Sequence, residues 1–388
     1  GTVKRRDFLG ALGVGGLLSL APGLAAAAGP ARYGRLLILV ELKGGNDGLN
    51  TLVPFADPAY YALRPRLAIR REDALPVADG LGFHPSLQPL LPSWQNGEMS
   101  ILQGVGYPQP NLSHFRSIEI WDTASKSDEY LQQGWLARTF RREPAPAGFA
   151  TDGVVLGSQD IGPFSGGGRV VVLGNPGEFA RMASLVKEGG TDGGGALGHI
   201  RRVEADIRQA AARLGGGGPS SALRTDFPQT GFGASIRTAC QVLASGVELA
   251  VLRVSLGGFD THQNQAGTHA NLLRQLAEGL VALKAALIEL RLWDRSLVLT
   301  YAEFGRRPRE NQSGGTDHGT ASVHFALGGA VRRGIEGGAP DLDRLDTEGN
   351  LAYGIDFRRV YATVLERWWG IDSREILGGR YVPLGFVA

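Results

Sequence analysis

Acidic and imidazole side chains recur in this sequence just after short apolar runs. They stand in Gly257-Gly258-Phe259-Asp260-Thr261-His262, in Ala302-Glu303-Phe304-Gly305-Arg306 and in Thr316-Asp317-His318-Gly319. Carboxylates and imidazoles are placed this way when strand ends converge on one polar point, and a divalent cation is the commonest such point. The plainer alternative is a set of Asx-turns and loop histidines. Asp260 and His262 flank a single residue, so an extended turn aims both the same way. Asp47 occupies the turn Gly44-Gly45-Asn46-Asp47-Gly48, where glycines let backbone and ligand approach closely. As a hard oxygen ligand it suits zinc, manganese, magnesium or calcium equally. Its alternative role is an Asx-turn.

Asn111-Leu112-Ser113-His114-Phe115-Arg116-Ser117 opens an expected helix. Ser113 there is either an ordinary N-cap or a nucleophile at the positive end of the helix, where free N–H groups would also hold a phosphate or sulfate. His114 would polarise that hydroxyl or bind metal, and Arg116 would pair with an anionic oxygen. The alternative for Glu303 is a carboxylate satisfied by Arg306 and Arg307. His269 reads as an ordinary solvated residue and His324 as a satisfied core histidine. The lone cysteine, Cys240, excludes an intrachain disulfide framework and a Cys-rich zinc site, and reads as a small buried hydrophobe.

The elements that must position these residues follow from apolar runs. Leu36 to Val40, Ser100 to Gly106, Gly153 to Gly157, Arg169 to Leu173, Ala250 to Leu256, Ser296 to Tyr301 and Phe325 to Ala330 read as strands. Between them, Ser113 to Thr123, Ser235 to Leu249, His269 to Leu292 and Phe357 to Trp369 read as helices, and Ser86 to Trp94 as a short one broken by Pro89 and Pro92. Strands alternating with helices predict a mostly parallel α/β sheet with its site along one edge. Gly-rich stretches at 189–198 and 214–219 flank a helical run at 200–214, giving an expected insertion at about 185–232.

With 388 residues the chain can bury one large core, and 40 basic against 38 acidic residues leave no basis for nucleic-acid binding by counterion release. The 58 glycines fit many turns and long loops rather than a helical bundle. At the N-terminus, Lys4-Arg5-Arg6-Asp7-Phe8-Leu9 is a twin-arginine pattern, followed by an apolar run from Ala11 to Leu20 and small residues from Ala25 to Ala28. These features predict an export signal over 1–28, a periplasmic or secreted mature protein, and a single domain over 29–388. The run holds Gly13, Gly15 and Gly16 and soon meets Pro22, so no stable membrane span is expected in the mature chain.

Lys43 to Thr51, Asn111 to Trp121, Gly257 to His262, Glu303 to Arg306, Thr316 to Gly319 and Asp356 to Val364 together resemble the bacterial domain-of-unknown-function family 1501. That family belongs to the alkaline-phosphatase-like superfamily. The resemblance implies a doubly wound α/β fold and one or two divalent metals, zinc or manganese foremost, with magnesium or calcium as alternatives. It also implies cleavage of phosphate or sulfate esters. Carried over residue by residue, Asp47 shares a metal with the nucleophile Ser113, and Asp260 and His262 match a later Asp-and-His motif, at a narrower spacing than in several superfamily members. Two registers then remain. By sequence, Thr316-Asp317-His318-Gly319 matches an Asp-His-Gly motif. By position, Glu303 is the strand-end ligand, Phe304 stands where a histidine would, and His318 is the later histidine. The missing ligand then falls to Asp317 or His114, or only one metal is kept.

The resulting expectation is an exported, metal-dependent hydrolase of anionic small-molecule or glycan esters. Asp47, Asp260, His262, Glu303, Asp317 and His318 are its expected metal ligands, and Ser113, His114 and Arg116 its catalytic residues. Two alternatives stand beside it. One is a non-catalytic binding or accessory protein acting with a co-exported partner. The other is a different metal enzyme, such as an oxidoreductase.

Overall fold

Leu36–Lys43 (β1) is apolar at nearly every position, and its successive residues serve opposite faces of a sheet. Leu36, Ile38, Val40 and Leu42 join one hydrophobic cluster, while Leu37 and Leu39 join another. A strand whose two sides are both buried belongs inside a sheet covered by helices on both faces. That is the observed architecture. The computed structural model describes residues 31–173 and 223–388, with residue 205 between them. The expected export segment at 1–28 and, apart from residue 205, the expected insertion up to residue 222 lie outside the described residues.

The remaining strands of the main sheet are Met99–Gly106 (β2), Thr151–Leu156 (β3), Val170–Leu173 (β4), Leu249–Gly257 (β5), Ser296–Tyr301 (β6), Ser322–Leu327 (β7), Gly334–Glu336 (β8) and Ile355–Asp356 (β9). Their order is β8-β2-β7-β6-β1-β5-β3-β4, with β9 also paired to β2. All pairings are parallel except those of β7, which runs antiparallel to both β2 and β6. The main helices are His114–Thr123 (α1), Trp135–Arg142 (α2), Gly231–Ala244 (α3), Gln265–Glu289 (α4) and Phe357–Ala362 (α5). Helices α3 and α4 cover one face through Phe232, Ile236, Leu276 and Leu280. Helices α1, α2 and α5 cover the other through Trp121, Trp135, Phe140 and Tyr361. Among the described residues, no helix is long and apolar enough to cross a membrane.

Register decides where the polar residues go. Lys43 is level with Gly257, and Glu41 with Tyr301, so the turns after β1, β5 and β6 emerge side by side at one edge. Because β7 is antiparallel, it is its beginning that lies at this edge. The segment leading into it therefore folds back over the same place, where His318–Gly319 pairs with Gly305–Arg306. One crossed strand thus brings residues 316–321 to turns they could not otherwise meet.

Several expected boundaries move, the helix Ser235–Leu249 to Gly231–Ala244 among them, and two moves bear on the site. Strand β7 starts at Ser322, not Phe325. Helix α4 starts at Gln265, not His269, which puts His269 inside a helix facing the core, 2% exposed, and corrects its reading as a solvated residue. Cys240 and His324 are buried as expected.

Candidate metal centre

The turn after β5 alternates in and out. Phe259 and Thr261 are buried and anchor it, while Asp260 and His262 between and after them face outward. His262 Nε2 lies 3.0 Å from Asp260 Oδ1. From the 318–319 strand, His318 Nε2 lies 3.2 Å from the same oxygen and 3.0 Å from His262 Nε2. From the first turn of α1, His114 Nε2 lies 3.3 Å from Asp260 Oδ2. Three imidazoles from three segments thus turn the same ring nitrogen toward one carboxylate.

The opposite ring nitrogens fix the tautomers. His318 Nδ1 is 2.8 Å from the Leu112 carbonyl, an acceptor only, so Nδ1 carries the proton. His114 Nδ1 is 2.8 Å from Glu303 Oε1, and His262 Nδ1 is 3.3 Å from Asp317 Oδ1. In each ring the proton on Nδ1 leaves an Nε2 lone pair aimed at the centre. Neutral Nε2 atoms and a carboxylate are all acceptors, so their convergence calls for a cation among them. The spacing fits. Ligands at about 2.0–2.1 Å in tetrahedral arrangement stand about 3.3 Å apart. His114, Asp260 and His318 have ligand atoms mutually within 4.8 Å, and His262 stands outside that trio, next to Asp260 and His318 alone.

Glu303 and Asp317, expected as metal ligands, instead orient histidines. Glu303 is 3% exposed, and its carboxylate accepts the Gly44 N–H at 3.0 and 3.2 Å as well as the His114 proton. A carboxylate behind a ligating imidazole is the common second layer of a metal site. Gly44 makes this closeness possible: with φ at 117°, a Cβ there would lie 2.4 Å from Asp260 N. Phe304 lies against His114 and His318 with ring centroids 4.9 and 4.4 Å away, walling the inner side.

Arg306, named with Arg307 in the alternative reading of Glu303, is the partner of Asp260 instead. Its buried guanidinium donates to Asp260 Oδ1 at 2.8 Å and to the carbonyls of Gly44, Gly45, Phe259 and Thr316. One side chain therefore ties together three of the turns that make the site. Burial works to raise the Asp260 carboxyl, but the hydrogen bond from Arg306 and the Arg306 charge hold it well below the usual carboxylate range. Burial lowers the His318 imidazole, in keeping with its neutral form.

Asp47 is not among the converging ligands, contrary to expectation. It is 1% exposed, and Arg64 grips it bidentately at 2.6 and 2.9 Å. Gln265 Nε2 adds a third bond at 2.5 Å, and Gln265 Oε1 in turn accepts from Thr261 and Thr316. Burial works to raise this carboxyl too, and the Arg64 charge and hydrogen bonds overcome it.

Arg116 is likewise turned from the centre. It donates to the carbonyls of Lys126, Ser127 and Glu129 and stacks on Tyr130 at 3.9 Å, so it pins a loop rather than meeting an anion at the site.

Ser113 is the N-cap of α1, yet its side chain is exposed and makes no capping bond. Its neighbours on both sides touch the centre, Leu112 through the carbonyl held by His318 and His114 directly. Two other hydroxyls near these motifs are committed. Ser117 bonds Tyr107 and the Glu303 carbonyl, and Thr51 bonds the Asp47 carbonyl and Asn46, both fully buried.

The family model described as a protein of unknown function (DUF1501) matches residues 202–379, the stretch that carries Asp260, His262, Glu303, Asp317 and His318. No curated protein matches the chain. Solved structures with a similar chain path include the lipoteichoic acid synthase LtaP from Listeria monocytogenes, with 11% identity, 79% of this chain and 66% of that one covered, and a TM-score of 0.34. A protein in the alkaline phosphatase superfamily from Vibrio parahaemolyticus is 11% identical, with 90% and 70% covered and a TM-score of 0.39. The C-terminal periplasmic domain of EcEptC from Escherichia coli, in complex with zinc, is 10% identical, with 77% and 74% covered and a TM-score of 0.35. At these identities and scores the likeness carries no residue role to this chain.

Proposed function

We propose that the protein is an exported, metal-dependent hydrolase of phosphate or sulfate esters. His114, His262, His318 and Asp260 hold one divalent ion, zinc or manganese, and Ser113 is the attacking hydroxyl. The observation that carries this reading is the convergence of three Nε2 lone pairs on Asp260 beside a Ser113 side chain free of its own helix. An ion bound there supplies positive charge to the oxygens of an anionic ester. The chain's own residues do the rest. Glu303, Asp317 and the Leu112 carbonyl keep the three imidazoles in the ligating tautomer. The first turn of α1, with no side-chain cap, leaves N–H groups open to the ester's oxygens. Ser113 Oγ would form a bond to phosphorus or sulfur as its proton passes through water to the departing ester alcohol, and a second water then releases the acid and restores the serine.

The same donor set favours a second reading. Three imidazoles and one carboxylate also suit iron or manganese redox chemistry, which makes an oxidoreductase the alternative. The experiment is to assay metal-loaded full chain against nitrophenyl phosphate and nitrophenyl sulfate, with and without chelator, beside Ser113→Ala. Chelator-sensitive hydrolysis that disappears in S113A supports the hydrolase. Turnover equal in S113A and wild type rejects the serine, and no ester turnover by a chain carrying iron favours the alternative.

A further inference from the structure

Behind the exposed centre lies a second place built for positive charge. Asp47 Oδ1 and Oδ2, Asn50 Oδ1, and the carbonyls of Arg307 and Pro308 accept from the three Arg64 guanidinium nitrogens at 2.6–3.0 Å. These five oxygens, from two segments, are hard ligands of the kind a divalent ion takes. Both partners of the ion pair have side chains with no exposed area. The guanidinium bonds all five oxygens, Gln265 and Tyr60 add one bond each to Asp47 and Asn50, and the guanidinium cannot lose its proton.

We infer that this protein carries one divalent ion, not two, and that the Arg64 guanidinium is a built-in cation standing where a second ion would bind at Asp47. The inference rests on the metal reading of the His114–Asp260–His262–His318 cluster. Arg306 plays a related part at the centre itself. By taking Asp260 Oδ1 at 2.8 Å, it fixes one side of that carboxylate with a charge that never leaves. The segment bearing Arg64 also runs into the site. Arg64 bonds the two carbonyls that follow Arg306, so the fixed cation braces the turn that carries Glu303 and Arg306.

The test uses full-length protein stripped with chelator and dialysed against excess zinc or manganese ion, with the metal-to-protein ratio measured by plasma mass spectrometry. One ion per chain is expected. The paired change Asp47→Asn with Arg64→Gln, which removes both buried charges together, keeps that ratio at one, whereas His318→Ala brings it close to zero. Arg64→Ala supplies a readout that a merely structural arginine would not give. It melts lower than wild type, and millimolar calcium or manganese recovers part of the lost Tm while leaving the wild-type Tm unmoved by calcium. Two ions in the wild type, loss of the ion in the paired variant, or an Arg64→Ala Tm indifferent to both metals overturns the inference. A wild-type ratio of zero rejects the metal reading itself, and this inference with it.

Discussion

His262 and His318 face each other Nε2 to Nε2 at 3.0 Å, while their Nδ1 atoms are committed to Asp317 and to the Leu112 carbonyl. Two imidazole lone pairs at that distance repel unless a cation lies between or beside them. The folded chain therefore gains from any ion it binds there. A ligand at a hundred times its Kd stabilises by about 2.7 kcal/mol when only the native state binds it. Zinc or manganese should raise the Tm of chelator-stripped protein and do nothing for His318→Ala. Equal Tm with and without metal, at concentrations where mass spectrometry shows binding, would contradict this.

Glu303 and Asp317 act through the histidines they orient. Glu303→Gln and Asp317→Asn should each weaken metal binding by roughly 10–100-fold while leaving one ion per chain. Competition against a chromogenic chelator measures this. A variant that holds no ion at saturating metal would instead make that carboxylate a direct ligand.

Ser113 separates a cap from a nucleophile. A working serine cap costs about 0.5–2 kcal/mol when replaced by alanine. Because the Ser113 side chain makes no capping bond, Ser113→Ala should change the urea-unfolding free energy by less than about 0.5 kcal/mol, the range of surface changes that break no contact. A loss near 2 kcal/mol would show the hydroxyl serving its helix after all.

Much of this was readable in the chain because strand ends announce themselves. The apolar runs at Leu36, Ala250 and Ser296 and the turns after them predict both the sheet and the edge where Asp260, His262 and Glu303 emerge. The spacing of Asp260 and His262 predicts their shared direction. What sequence could not convey was pairing between distant side chains. Asp47 and Asp260 look alike as strand-end acids, and only packing shows that Asp47 meets Arg64, carried in by the helix Pro58–Leu63, while Asp260 meets Arg306. Glu303 followed by two arginines suggests a local ion pair, but the small antiparallel ribbon turns Arg306 inward to the neighbouring turn and leaves Glu303 to His114 and Gly44. The antiparallel sense of β7 was equally invisible, and it alone explains how His318 arrives.

Acid stability follows from three other histidines. Burial holds the imidazoles of His84, His269 and His324 down, to about 4, about 3 and about 3 from an ordinary 6.5. The unfolded chain takes up these protons as pH falls through 6.5, and the folded chain does not. Their contribution is therefore full above pH 6.5 and is lost as pH falls toward 4, on the order of 2 kcal/mol for each by pH 5. Asp122 works the other way, since burial raises its carboxyl well above the usual range, so one group opposes three. Urea midpoints of stripped protein should fall between pH 7.5 and pH 5. A midpoint constant or rising across that range would contradict the three buried neutral imidazoles.

The central claim is the position of the metal, and diffraction from crystals loaded with zinc, collected on both sides of the zinc absorption edge, tests it most directly. One strong anomalous peak per chain is expected, within about 2.0–2.2 Å of Nε2 of His114, His262 and His318 and of an Asp260 oxygen, and none at Asp47. A peak on the Asp47 carboxylate, a peak held by Glu303 or Asp317 in place of the imidazoles, or no peak at full zinc occupancy in solution would contradict it.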